Sequence, residues 1–170
     1  MALSHADFQR WVVDHSSAMF RTAYRMVGDR HQAEDIVQDT FRSVWNSRAS
    51  YDANRAERAW LVAILRRRVV DYWRRSGRFN LVSADSPLEV SVSPEDPLSN
   101  DYTDEMQHAL DTLPVELKET LLLVVVSELT HQEAADLLGI PLGTVLSRVS
   151  RARSRLRETL LARAVNKPNS

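Results

Sequence analysis

Residues 79–105 limit what this chain can fold into more than any other stretch. They hold seven Asp and Glu, no Lys or Arg, and three of the six prolines, Pro87, Pro94 and Pro97. Proline lacks an amide donor and restricts the residue before it, while clustered carboxylates resist burial. The segment also has no hydrophobic period, so it reads as a flexible acidic linker. A single domain would have to bury this Pro-broken loop, so the 170 residues divide into two modules. The first is placed at 1–78, the linker at 79–105, the second at 106–165, and a short tail at 166–170. Each module is small but long enough to close a helical core. With 44% hydrophobic residues and only 4 Gly, the expected class is all-α: two small helical domains.

The formal net charge of −1 hides an uneven distribution. Residues 1–78 carry 14 basic and 9 acidic side chains, and residues 106–170 carry 8 and 7. All but two of the basic residues are Arg, and they cluster. Two Arg-bearing blocks around a purely acidic segment suggest two modules that bind a polyanion, joined by a stretch that repels it. Two solvated helical faces are the plain alternative on charge alone.

Apolar periodicity sets the helices. Phe8, Trp11, Val12, His15, Met19, Ala23, Met26 and Val27 recur at three- and four-residue steps, the stripe of an amphipathic helix that stops near Gly28. Asp29 to Gln32 resembles a capping box and opens a second helix with Ala33, Ile36, Val37, Thr40, Phe41 and Val44 inward. Asn46 to Arg55 lacks a period and reads as a loop, followed by a third helix from about Ala56 to Ser76. The second module opens with a helix through Met106, Ala109, Leu110 and Leu113. Pro114 then stands at the start of another helix that ends near Ser127. Leu121 to Val126 has the composition of a buried strand, but its helical flanks and the lack of a second strand favour a buried helix.

Residues 130–157 carry the most specific pattern. Thr130 and Glu133 form a capping box, Ala134 and Ala135 are small where helices cross, and Gly139 suits a left-handed turn residue. A second helix follows from about Gly143, with Val145, Val149, Ala152, Leu156 and Leu160 toward the core. Ser147, Arg148, Ser150, Arg151 and Arg155 are then left for solvent or DNA. This is a helix-turn-helix pattern, and its Arg-bearing second helix favours DNA reading over an ordinary hairpin.

The third helix offers Arg66, Arg67, Arg68, Arg74 and Arg75 near Tyr72 and Trp73, a basic surface with interleaved aromatics. Arginines neutralise phosphate and aromatic faces stack on unpaired bases, so this suits a partly single strand, with Trp60 kept in the core. The second helix instead carries Glu34, Asp35, Gln38 and Asp39 on one exposed face, better suited to a basic protein partner than to DNA.

Other chemistry finds little support. With no Cys there is no disulfide, thiolate metal site or thiol switch in the chain. A His31, Glu34, Asp35 metal cluster has helical spacing, but no matching Glu-x-x-His pair exists elsewhere. No Gly-rich phosphate loop, nucleophile elbow or zinc-protease motif is present, so neither a catalytic residue nor a cofactor is expected. The longest apolar run is the six residues Leu121 to Val126, far short of the roughly 20 that span a bilayer. The first residues, Met1 to Asp7, lack the basic and apolar regions of a secretory signal, so direct membrane insertion is not expected and a cytoplasmic location is.

At this point the chain resembles a known family over nearly its whole length: the extracytoplasmic-function (ECF) group of bacterial sigma-70 RNA polymerase sigma factors. Ala33-Glu34-Asp35-Ile36-Val37-Gln38-Asp39-Thr40-Phe41 looks like region 2.2 of that family. Arg58-Ala59-Trp60-Leu61 through Asp71-Tyr72-Trp73-Arg74-Arg75 looks like regions 2.3 to 2.4. Leu113-Pro114, Gln132 to Ala135 and Gly143 to Arg148 look like region 4. The resemblance implies a region 2 helical bundle and a region 4 helix-turn-helix. It implies that Asp35, Gln38 and Asp39 dock on the β′ clamp helices of core RNA polymerase, with the β flap as a second contact. It assigns Tyr51, Arg55, Arg66, Tyr72, Arg74 and Arg75 to the minus-ten element, with the loop from Ser47 to Arg55 capturing a flipped base. Thr144, Ser147, Arg148, Ser150, Arg151, Arg153 and Arg155 go to the minus-thirty-five element. Leu146 stands where many relatives have Lys or Arg, and Ser150 where many have a larger side chain, so the sequence preference is not inherited from a relative. The family also implies a cognate anti-sigma factor, often membrane-anchored. The rival readings are a sigma-like decoy that binds an anti-sigma factor without using promoters, a stand-alone helix-turn-helix repressor, and a nuclease using Asp35 and Asp39.

Overall fold

A computed structural model of the chain describes residues 2–77 and 101–166. Of the expected linker only residues 101–105 fall within these, and of the tail only Asn166; the rest of both lies outside the described residues. The described part is all helical: α1 (His5–Val27), α2 (Arg30–Asn46), α3 (Glu57–Arg75), α4 (Asp101–Asp111), α5 (Val115–Val125), α6 (His131–Leu138) and α7 (Leu142–Val165), with a short 3-10 turn at Arg48–Ser50. Among the described residues no helix is long and apolar enough to cross a membrane. Nor, among them, are three or more His, Asp or Glu grouped so as to hold a metal ion.

Local chemistry accounts for the helix ends. The Ser4 hydroxyl accepts from the Asp7 amide at 3.1 Å and caps α1, which ends where Gly28 takes φ 72°. The Asp29 carboxylate accepts from the Gln32 amide at 3.0 Å to open α2. Leu121 to Val125 is helical, as its flanks indicate, and Leu121, Leu122 and Leu123 are buried. α4 begins at Asp101, within the segment assigned to the linker; Asp104 and Glu105 sit in its first turns, where the helix dipole favours negative charge.

In the first module α1 and α2 lie side by side and α3 packs across both. The expected stripes are inside: Trp11, Met19, Ala23, Met26 and Val27 from α1, and Ala33, Ile36, Phe41 and Val44 from α2. In the second module α5 and α7 form the main pair, with α4 and α6 against them. The two modules touch, and the buried apolar residues of both form one continuous cluster from Leu3 to Ala152. This explains α3, where the six consecutive residues Trp60 to Leu65 are all buried. An ordinary surface helix hides one stripe; here α1 and α2 both pack on α3, and ion pairs from Arg58 and Arg66 reach the second module.

Candidate nucleic-acid interface

The helix-turn-helix forms as its residues require. The Thr130 hydroxyl accepts from the Glu133 amide at 3.0 Å, and the Thr130 amide donates to the Glu133 carboxylate at 2.8 Å. Gly139 ends α6 at φ 65°, and the Ile140 amide closes onto the Ala135 carbonyl at 3.2 Å. Val145, Val149 and Ala152 of α7 then face the core. Ser147, Ser150, Arg151, Arg153 and Arg155 are exposed, while Thr144 and Arg148 are half-buried. Arg148, Arg151, Arg153 and Arg155 have no ion-pair partner among the described residues, and no Asp or Glu lies between Asp136 and Glu158. The face is thus strongly cationic and uncompensated.

On α2, Asp35, Gln38 and Asp39 are all exposed and lie at three- and four-residue spacing opposite the buried Ala33, Ile36 and Thr40. Asp39 pairs with Arg42 at 2.7 Å, an exposed contact that a partner can displace at little cost. Beside Asp39 an open cavity of about 380 Å³ runs between α2 and α3, lined by Ile36, Asp39, Arg68, Asp71, Arg74 and Arg75. The acidic face of α2 and the basic end of α3 are therefore neighbours, a relation that sequence spacing does not reveal.

The minus-ten candidates are not all alike. Arg55, Arg74 and Arg75 are exposed and Tyr72 is half-buried. Trp73 is 2% exposed, which corrects the expectation that it contributes an aromatic face for stacking; it belongs with Trp60 in the core. Its place on α3 is covered because that helix is buried on more than one side. Tyr51 is half-buried, its ring 4.9 Å from that of Trp11 and 5.2 Å from that of Trp60 between centroids. Its hydroxyl donates to the Arg55 carbonyl at 3.3 Å, tying the loop together. Burial first, then the nearby Glu57 carboxylate, raises the phenol's pKa above its ordinary value of 10.0.

Arg66 is turned toward the second module, where it is paired with Glu119 of α5. This belongs to a contact between modules that the sequence reading missed. The Thr22 and Ser127 hydroxyls, both buried, share a hydrogen bond of 3.0 Å. Arg25 donates to the Gln107 side chain at 3.2 Å, and Gln107 donates back to the Arg25 carbonyl at 3.1 Å. Arg58 pairs with Glu128 at 2.9 Å. The available signal was polar residues where apolar ones belong: Thr22 on the α1 stripe, and Lys118, Glu119 and Thr120 buried beside the leucines of α5. Lys118 is satisfied within its own module by Asp111 at 2.7 Å, whereas Glu119 reaches across to α3.

Residues 11–79 match Sigma-70 region 2, and residues 103–156 match Sigma-70, region 4. The chain is similar to the ECF RNA polymerase sigma factor SigL of Mycobacterium tuberculosis, at 35% identity over 94% of this chain and 92% of that protein. It is 36% identical to SigE of Mycolicibacterium smegmatis over 88% of its own length, but it spans only 60% of that relative. Among solved structures it resembles the sigma factor RpoE in complex with the anti-sigma factor NepR from Bartonella quintana. That likeness has a TM-score of 0.74 at 30% identity and covers 95% of this chain and 99% of the other.

Proposed function

The chain belongs to the ECF RNA polymerase sigma factors, and from that premise we propose that it binds core RNA polymerase and directs it to a subset of promoters, performing no covalent chemistry of its own. The observation that carries this reading is α7, the second helix of a helix-turn-helix whose first helix is capped and ends at a left-handed glycine; the exposed arginines of α7 lack acidic partners among the described residues. Arg151, Ser147 and Ser150 face base edges of the minus-thirty-five element, with Thr144, Arg148, Arg153 and Arg155 nearer phosphate; a bidentate Arg to guanine contact gives about 1–3 kcal/mol of discrimination. Asp35, Gln38 and Asp39 take a basic surface of the polymerase. Arg55, Arg74 and Arg75, with Tyr72 and the loop that Tyr51 braces, hold the separated minus-ten strand. The work is done in the bacterial cytoplasm.

Promoter geometry adds a requirement. Elements centred about 25 base pairs apart are separated by about 85 Å of duplex. The contact between Thr22 and Ser127 holds the modules together at 3.0 Å. With α4 helical from Asp101, residues 78–100 could span at most about 76–83 Å if fully extended, enough for the modules to part by most of that distance. The closed arrangement is then a resting form that opens on the polymerase. Its likeness to a sigma factor solved with an anti-sigma factor supports an anti-sigma partner that holds this chain closed. The test is a binding experiment with purified core polymerase: the chain should form a stable complex and compete with another sigma factor. Failure to form one removes the reading.

A further inference from the structure

We propose that Leu146, with Leu142 one turn before it, reads thymine by packing on its C5-methyl group in the major groove of the minus-thirty-five element. The inference rests on the promoter reading above and adds a specificity determinant to it. Leu142 and Leu146 are 41% and 49% exposed, four residues apart in the first two turns of α7. Neither serves the core, a task that Val145 and Val149 perform at 0% and 6% exposure. Exposed leucines need a reason when they stand in the N-terminal turns that a helix-turn-helix presents to base edges. Ser147 lies in the same two turns and Ser150 and Arg151 in the next, all three exposed.

The chemistry of the surroundings selects the occupant. From residue 137 to residue 157 the chain has five Arg and no Asp or Glu, so this face suits a polyanion rather than an apolar protein helix. A leucine makes no hydrogen bond, so against a duplex it can read only an apolar group. On the major-groove edges of the four base pairs that group is the thymine methyl. Arginines on phosphate would fix the helix in register, and the two leucines would add a preference for thymine between the positions that Ser147, Ser150 and Arg151 read.

The test uses holoenzyme assembled from core polymerase and the full chain. Duplexes are selected from a pool randomised across the minus-thirty-five window, and each enriched thymine is then replaced by deoxyuridine, which removes only the methyl. Binding should weaken by about four-fold at one or two adjacent positions, the value of one methyl-sized group taken out of water. Leu146→Ala should bind the thymine duplex weaker by a similar factor and no longer distinguish the two bases. Its melting temperature should match that of the parent, since the side chain supports no core contact. A window enriched without thymine, equal binding of thymine and deoxyuridine duplexes at every position, or a Leu142→Ala, Leu146→Ala double variant that still discriminates would each overturn the inference while leaving the promoter reading intact. If holoenzyme enriches no sequence at all, the promoter reading falls and this inference falls with it.

Discussion

Glu119 is where the closed arrangement is most open to attack. The Glu119→Gln variant keeps the shape of the side chain but removes its charge, leaving Arg66 facing a neutral amide. The two side chains are 9% and 29% exposed, so the pair is neither fully solvated nor sealed. An exposed pair contributes about 0–1 kcal/mol, and breaking a buried one costs about 3–5 kcal/mol. A charge-assisted hydrogen bond in between is worth about 2 kcal/mol. The equilibrium between closed and open forms should therefore move about 30-fold toward open. The contacts of Thr22 with Ser127, Arg25 with Gln107 and Arg58 with Glu128 remain, so the variant should be loosened rather than unfolded. The chain has no Cys, so dyes can be placed on single introduced cysteines at Val13 and Leu161, which are 78% and 60% exposed on separate modules. Energy transfer between them should fall in Glu119→Gln, and the apparent affinity for core polymerase should rise by the same factor if the closed form dominates. Identical transfer in variant and parent would show that this pair does not hold the modules together.

Four further outcomes follow from the geometry. Asp39→Arg should weaken competition for core polymerase by about ten-fold or more, by placing like charge against a basic partner, while binding to a minus-thirty-five duplex persists; full competition would remove Asp39 from the docking face. Arg151→Ala should lose about 1–3 kcal/mol of promoter discrimination in a binding titration with core affinity unchanged. At Gly139, φ 65° makes any side chain strained although nothing lies within 4 Å, so Gly139→Ala should lower stability by about 1–2 kcal/mol in a denaturant melt without changing surface chemistry. Because folding raises the pKa of the Tyr51 phenol, its contribution to stability is complete below pH 10.0 and is lost as pH rises through the folded value. An ultraviolet titration should show a late-ionising tyrosine, and Tyr51→Phe should abolish that late step.

Local rules were written plainly in the residues. The capping box at Thr130 and Glu133, the left-handed Gly139, the end of α1 at Gly28 and the inward stripes of α1 and α2 all follow from spacing and backbone preference, each within a few residues. The acidic face of α2 was legible for the same reason, since Asp35, Gln38 and Asp39 repeat at helical steps. Features that depend on distant partners were not. Trp73 looks like a surface aromatic between arginines, and only the packing around α3 puts it inside. Arg66 looks like one of three equivalent arginines until Glu119, 53 residues away, draws it across the modules. Thr22, in α1, and Ser127, just past the end of α5, are 105 residues apart, and no periodicity says that their hydroxyls meet.

The most direct measurement is transcription in vitro with purified core polymerase on a library of promoter-like duplexes, with and without this chain. The account predicts initiation that depends on the protein and starts at a shared pair of sequence elements. Binding of core polymerase without any such initiation would contradict it and favour a decoy that occupies anti-sigma factors instead.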